Sequence, residues 1–388
     1  MEFSKIQRMY ILSFLFTLHI ALSAYVNSTF LTQIISEKYV GLLYTTASVI
    51  TLLLLARNTN FLKNFGNRKL SIILLCINML GFVFLIGSQN PILISLAFVS
   101  ILATNTLIIL CLDIFIEHFG NPTTIGKTRG LYLTINNLAW VLSPLVTGIL
   151  ITREGGYVTI YSLALVTTLI MTIGLIFSVT NFSDKKYVKA PLIQSYKYLQ
   201  KNTHMLAITI INFILNFFFA VMVIYTPIYL INHIGFNWSE LGVIFTIMLM
   251  PFVIFGFPTG LLIDKYKVSK RKILYVGFII IILSTLSIAF ISNTNIALWA
   301  LVLFLTRMGA SIIETTSEVY FFTHIKEEET YLLSIYRDMT PIAYLIAPLF
   351  ATVVFMFVEF KYIYIILSVI LASAFYYIKR LKHNHESR

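Results

Sequence analysis

Ala139-Trp140-Val141-Leu142-Ser143-Pro144-Leu145 returns almost residue for residue as Ala343-Tyr344-Leu345-Ile346-Ala347-Pro348-Leu349, 204 positions later in a chain of 388 residues. The echo runs outward. Tyr132 falls on Tyr336 at the same spacing, and Leu112-Asp113-Ile114-Phe115 matches Ser317-Glu318-Val319-Tyr320 at a spacing of 205. Val40-Gly41-Leu42-Leu43-Tyr44-Thr45 matches Leu241-Gly242-Val243-Ile244-Phe245-Thr246 at 201. Loops of unequal length account for the drift. A repeat of half the chain is far too long for a solenoid unit, so it marks two copies of one domain-sized fold.

Apolar residues make up 58% of the chain and charged residues 11%, whereas soluble domains are about a quarter charged. The mean hydropathy is +0.87. This is the composition of a polytopic membrane protein. A spanning helix takes about 20 predominantly apolar residues. Twelve such stretches are expected, at 9–30, 39–57, 70–88, 92–115, 130–152, 157–180, 205–231, 238–262, 273–292, 296–322, 332–357 and 361–379. The fold class read from this is all-α, with twelve transmembrane helices in two pseudo-symmetric six-helix bundles. The bundles are expected at 1–180 and 205–388, the second carrying a short tail, joined by a linker over 181–204. The linker holds Lys185, Lys186 and Lys189, then Leu192, Tyr196, Tyr198 and Leu199. It reads either as a short amphipathic helix on the inner leaflet or as a solvated tether.

The net charge of +12 is a topology signal. With the N-terminus inside, 24 of the 28 Lys and Arg residues fall in inner segments, while the outer loops hold Lys38, Arg153 and Lys361 and one helix holds Arg307. That asymmetry is the positive-inside rule, and it puts both termini in the cytoplasm. It removes the need for a nucleic-acid partner. The first apolar stretch is no cleaved signal, because residues 28–35 lead into the Gly41 element just as 226–233 lead into Gly242. Cys76 and Cys111 lie inside apolar segments, so a disulfide framework and a thiolate zinc site lack support, and no cofactor is expected.

Two six-helix halves with a basic central linker resemble the major facilitator superfamily. The loop between spans 8 and 9 carries the sharper likeness: Gly260-Leu261-Leu262-Ile263-Asp264-Lys265, then Lys270-Arg271-Lys272, resembles that family's signature of Gly, Asp and basic residues. The first-half loop keeps Gly66, Arg68 and Lys69 but has Thr59 and Lys63 where the pattern has Gly and Asp. Span 10 carries Arg307-Met308-Gly309-Ala310-Ser311, a loose form of the Arg-then-small pattern the family usually shows in span 4. Span 5, with Ser143-Pro144 and Gly148, resembles the Gly-Pro motif of antiporters and gives a modest lean to export.

The resemblance implies that spans 1, 4, 7 and 10 line a cavity, with 3, 6, 9 and 12 facing lipid. Embedded charge is costly and points inward. His19, Asp113, Arg307, Glu314, Glu318, Arg337 and Asp338 fall on spans 1, 4, 10 and 11, in agreement with that partition. The many Phe and Tyr are expected to face lipid and the interface.

His19 and Arg307 lie about 15–17 Å into their spans at ~1.5 Å per residue, near the midplane. Arg307 is read either as the holder of a substrate carboxylate or phosphate, or as half of a structural ion pair. Glu314 is read either as a proton-exchanging group or as a fixed salt bridge. Asn27, Asn136, Trp140 and Asn216 complete the candidate substrate or coupling set. Arg68, Asp113, Glu117, Arg129, Gly260, Asp264, Arg271, Glu318 and Arg337 form a candidate cytoplasmic gate; the other reading is plain helix-end charge. By the symmetry of the halves, Asp264, Arg271 and Glu318 are expected to meet Arg129, and Arg68, Asp113 and Glu117 to meet Arg337.

No phosphate-cradling Gly-rich loop with Lys-Ser/Thr is present, and no reactive constellation suggests an enzyme. The expected function is secondary active transport of a small solute by alternating access, driven by protons, through a monomer in a bacterial cytoplasmic membrane. The competing reading is a non-transporting receptor or assembly scaffold on the same fold.

Overall fold

A computed structural model describes residues 4–120, 125–152, 156–180, 182–184, 199–325 and 332–382. Among the described residues every regular element is helical. The helices are α1 (Lys5–Ala24, continued by Asn27–Thr32), α2 and α3 (the single stretch Val40–Gly87, parted at Gly66), α4 (Pro91–Phe119), α5 (Ile125–Ile151) and α6 (Gly156–Ser178). After them come α7 (Thr203–Ile228, ending in a π-helical turn Tyr229–Ile234), α8 (Trp238–Ile254, continued by Gly256–Asp264) and α9 (Lys270–Ile288). The last three are α10 (Ile296–His324), α11 (Leu332–Val354) and α12 (Tyr362–Ala372, continued by Ala374–Ile378).

Side chains at the helix starts explain where the elements begin. A helix leaves its first backbone N–H groups unbonded, and a short polar side chain just before it accepts from them. Ser4 and Gln7 form a reciprocal box at α1, and Asn237 and Glu240 form another at α8. Asn90, Asn202 and Asn295 cap α4, α7 and α10. In the apolar runs that follow, an unbonded peptide group has no water to turn to, which makes the helix the obligatory conformation.

Eight helical stretches among the described residues are long and apolar enough to cross a membrane. One of them, Glu37–Gly87, has 51 residues and carries both α2 and α3. Apolar Ile135–Ile151 and Tyr362–Ile378 are shorter, and α11 opens with the polar run Arg337, Asp338 and Thr340. Together these account for the twelve spans. Large apolar side chains face outward: Phe177 is 73%, Phe257 74% and Phe357 81% exposed. A protein bathed in water rarely shows such surface, whereas an acyl chain accepts it. The aromatic expectation needs correcting, because many rings are core residues. Tyr161, Tyr225, Tyr320, Tyr364, Phe16, Phe82, Phe98, Phe115, Phe218 and Phe245 are among the largest fully buried side chains. Tyr hydroxyls inside find partners, as Tyr161 does on Asn27 and Tyr225 on the Pro348 carbonyl.

The chain divides into two compact units, Met1–Lys189 and Ala190–Arg388. In the first, α1 packs on α5 and α6, and α3 packs on α4 and α6. The second repeats these neighbours: α7 packs on α11 and α12, and α9 on α10 and α12. Polar ties join the corresponding helix pairs in both units. Thr147 donates to the Leu22 carbonyl across a separation of 125 residues, while Asn212 and Thr340 bond across α7 and α11 at separations of 124. Of the expected linker, residues 181 and 185–198 lie outside the described residues. Phe182 and Asp184, at its start, belong to the first unit by their contacts.

Candidate functional site

On α10, Arg307, Ser311, Glu314 and Glu318 follow one another at spacings of four, three and four, which puts them on one face. Arg307 is 1% exposed, Ser311 is buried, Glu314 half-buried and Glu318 exposed. Polarity on this face therefore rises toward the end of α10. The opposite side is shaped for packing: a Cβ at Gly309 would come within 2.7 Å of the Gly277 carbonyl, so α10 lies backbone to backbone on α9.

Two rings of α7 surround the buried cation. The Arg307 guanidinium carbon lies 5.2 Å from the Phe218 centroid and 5.6 Å from that of Phe219, whose ring in turn touches Phe252 of α8 at 6.0 Å. Each such cation–π contact is worth about 0.5–2 kcal/mol, against an insertion cost of at least ~2.5 kcal/mol for arginine at mid-bilayer. Rings offer π density and no in-plane acceptor. Nη1 has no hydrogen-bond partner, and within the second unit Arg307 makes no ion pair among the described residues. Glu314 stands two turns along, about 10 Å away.

Beside this face α11 contributes Tyr336 and Arg337. Glu318 lies within electrostatic reach of Glu314 and of Arg337, and Tyr336 within reach of both carboxyls. A ladder of amides ties α7 to α11: Asn212 Nδ2 donates to the Tyr336 carbonyl (2.9 Å), Asn216 Nδ2 to Asn212 Oδ1 (3.0 Å) and Thr340 Oγ1 to Asn216 Oδ1 (2.8 Å). The second unit thus gathers Asn216, Arg307, Glu314, Glu318 and Arg337 along facing helices.

The candidates of the first unit are more dispersed. His19 is fully buried between Phe16 (4.6 Å between centroids) and Phe82 (5.6 Å). Asn105 and the Phe16 carbonyl are polar neighbours of its ring, with neither nitrogen in hydrogen-bonding geometry. Asn27 accepts from Tyr161 at 3.0 Å, an interhelical tie. Trp140 meets Tyr25 edge to face at 6.4 Å. Asn136 is half-buried, and its Oδ1 has no partner.

Of the gate candidates, Arg68 Nη2 donates to the Ile176 carbonyl at 3.0 Å, so it caps the end of α6 within its own unit. Asp113 is half-buried and Glu117 exposed near the end of α4. Arg271 is half-buried at the start of α9. Gly260 has open space where a Cβ would stand. The side chains of Arg129 and Asp264 lie outside the described residues.

Two features escaped the sequence reading. One is the Phe218–Phe219 pair, indistinguishable by composition from the other Phe residues. The other is Asp184, whose Oδ1 accepts from the Asn67 N–H (2.8 Å) at the start of α3, where Gly66 has φ +73°. Phe182 holds the same segment against Phe115 (4.8 Å) and His118 (4.7 Å) of α4. The Gly66-Asn67 pair was the available signal for a turn.

A family model described as Major Facilitator Superfamily matches residues 9–330. Two crystal structures of the nucleoside transporter NupG, one of them of a point mutant, share the fold. Each is 12% identical, covers 98% of this chain and is itself covered over 100% of its length, with TM-scores of 0.79 and 0.74 for the unmutated and mutant forms. Comparison with curated proteins finds no match.

Proposed function

We propose, starting from the fact that the chain belongs to the major facilitator superfamily, that this membrane transport protein is a proton-coupled secondary transporter working by alternating access. Membership makes it a carrier of small molecules and no enzyme; the coupling, the direction and the residues are our reading. The observation that carries it is the α10 face, where a buried arginine and two carboxyls stand in a helix with no other Asp, Glu, Lys or Arg. Intramembrane charge is expensive and is retained for function. In this reading Arg307 engages solute and Glu314 exchanges the coupling proton, supported by its place between the buried Arg307 and the exposed Glu318.

His19, Asn27, Asn136, Trp140 and Asn216 belong to the same proposal as cavity or coupling residues. Asn27 and His19 are the weaker members, since Tyr161 occupies the first and aromatic rings enclose the second. Arg68, Asp113, Glu117, Arg129, Gly260, Asp264, Arg271, Glu318 and Arg337 are proposed to change partners as access alternates. We further propose a monomer with both termini on the cytoplasmic side of a bacterial membrane, and an antiport direction suggested by Ser143-Pro144 in α5. The halves are proposed as 1–180 and 205–388.

Purified protein in liposomes with an imposed pH gradient tests the reading, with native protein, Arg307→Ala and Glu314→Gln compared on a panel of organic anions, sugars, nucleosides and cations. Gradient-driven movement of one class, lost in both variants, is the expected result. Equal transport by all three proteins would remove the site assignment, and no movement of any solute would favour the receptor or scaffold alternative.

A further inference from the structure

The geometry points to a carboxylate site: Arg307 holds the anionic group of a monovalent organic acid whose apolar body lies against Phe218, Phe219 and Phe252. This deepens the transporter reading above and rests on it for the word substrate. Three observations converge. The cation is 1% exposed, its Nη1 has no acceptor, and within its unit it makes no ion pair among the described residues. Its close neighbours are the Phe218 and Phe219 rings, which can bond no N–H edge in the guanidinium plane. A guanidinium is a planar fork matched to the two oxygens of a carboxylate.

Charge count selects among anions. On the α10 face the single cation is followed by Glu314 and Glu318. A phosphate monoester brings about −1.5 to −2 at neutral pH, more than Arg307 alone balances, since Arg337 of α11 acts on Glu318. A monocarboxylate matches it one to one. An uncharged solute leaves the buried cation unmatched. A solute bound to the guanidinium would meet the Phe218 and Phe219 rings, against which a heavily hydroxylated body would be desolvated with no partner.

The test uses full-length protein in detergent and reads thermal unfolding with benzoate and hexanoate as probes, benzamide as the neutral counterpart of benzoate, and inorganic phosphate. One or both carboxylates are expected to raise the unfolding temperature, with benzamide and phosphate at least tenfold weaker in apparent affinity. Arg307→Met is expected to abolish the carboxylate effect while unfolding no lower than ligand-free native protein, since it removes an unmatched buried charge. A structural ion pair predicts the reverse, a marked drop in unfolding temperature, and that result overturns the proposal. If Arg307→Met cannot be purified, Arg307→Lys keeps the charge and loses the fork; a tenfold or greater loss of carboxylate affinity supports the site, and native affinity overturns it. Equal stabilisation by benzamide, or none by either carboxylate, also overturns it.

Liposomes separate this idea from the function beneath it. Carboxylate binding without movement supports the site and counts against transport. Carriage of an uncharged solute such as uridine, undiminished in Arg307→Met, leaves transport standing and overturns the carboxylate site.

Discussion

Two ionisable side chains within the apolar helices, Arg307 and His19, are each packed against a pair of phenylalanine rings. Arg307 is permanently charged and rests on rings that offset only part of its desolvation. His19 is fully buried, and neither of its ring nitrogens is in hydrogen-bonding geometry. An unsatisfied buried polar group costs about 1–3 kcal/mol, and an apolar replacement of similar shape removes that cost. His19→Leu is therefore expected to unfold within about 1 kcal/mol of native protein or above it, and to leave solute transport intact if the ring only packs. Loss of transport with a native unfolding temperature would instead put His19 in the coupling path. The sequence exposed both residues for the same reason, as ionisable groups in apolar runs. Their partners stayed hidden. With 32 Phe in the chain, period and composition do not say that Phe218 faces Arg307, since that depends on how α7 is rotated against α10.

The apolar runs expected to begin at 92, 238 and 296 start within a residue of there, at the capped Pro91, Trp238 and Ile296; boundaries were less legible where a helix outruns the bilayer. Residues 58–69 read as a loop because they are polar. They are helical up to Gly66, since Asn58, Asn60, Lys63 and Asn64 are adequate helix formers once water solvates them and no Pro or Gly intervenes earlier. At Gly66 the backbone takes φ +73° and ψ 157°, a region nearly reserved for glycine, and an added Cβ would stand 2.5 Å from Asp184 Oδ2. Gly66→Ala is expected to cost about 1–3 kcal/mol from the backbone alone. Asp184→Ala removes a helix-start acceptor and should cost about 1 kcal/mol. The double variant should be more stable than the sum of the two losses predicts, because deleting the carboxylate also deletes the clash. Thermal unfolding of the three proteins in detergent decides this; strict additivity would mean that Asp184 does not hold the α2–α3 corner.

At the scale of the whole molecule the scaffold is repeated and the charge is not. The α1–α5 pairing of the first unit recurs as α7–α11 in the second. At the spacing of 205, however, Arg307 and Glu314 fall on Leu102 and Ile109 of the first copy. On the mechanism proposed above, both halves move and α10 carries the two residues, Arg307 and Glu314, that have no charged counterpart in the first copy. If Glu314 carries that proton, its amide form remains able to bind solute and reorient but cannot unload a proton between strokes. Glu314→Gln should then retain solute exchange between the two sides of a liposome at rates within a few-fold of native, while net accumulation driven by a pH gradient falls to the level of protein-free vesicles. Loss of exchange and net movement together would make Glu314 part of the solute site or of the fold. Unaltered gradient-driven accumulation would move the coupling elsewhere, with Glu318 and Asp338 the next carboxyls to replace.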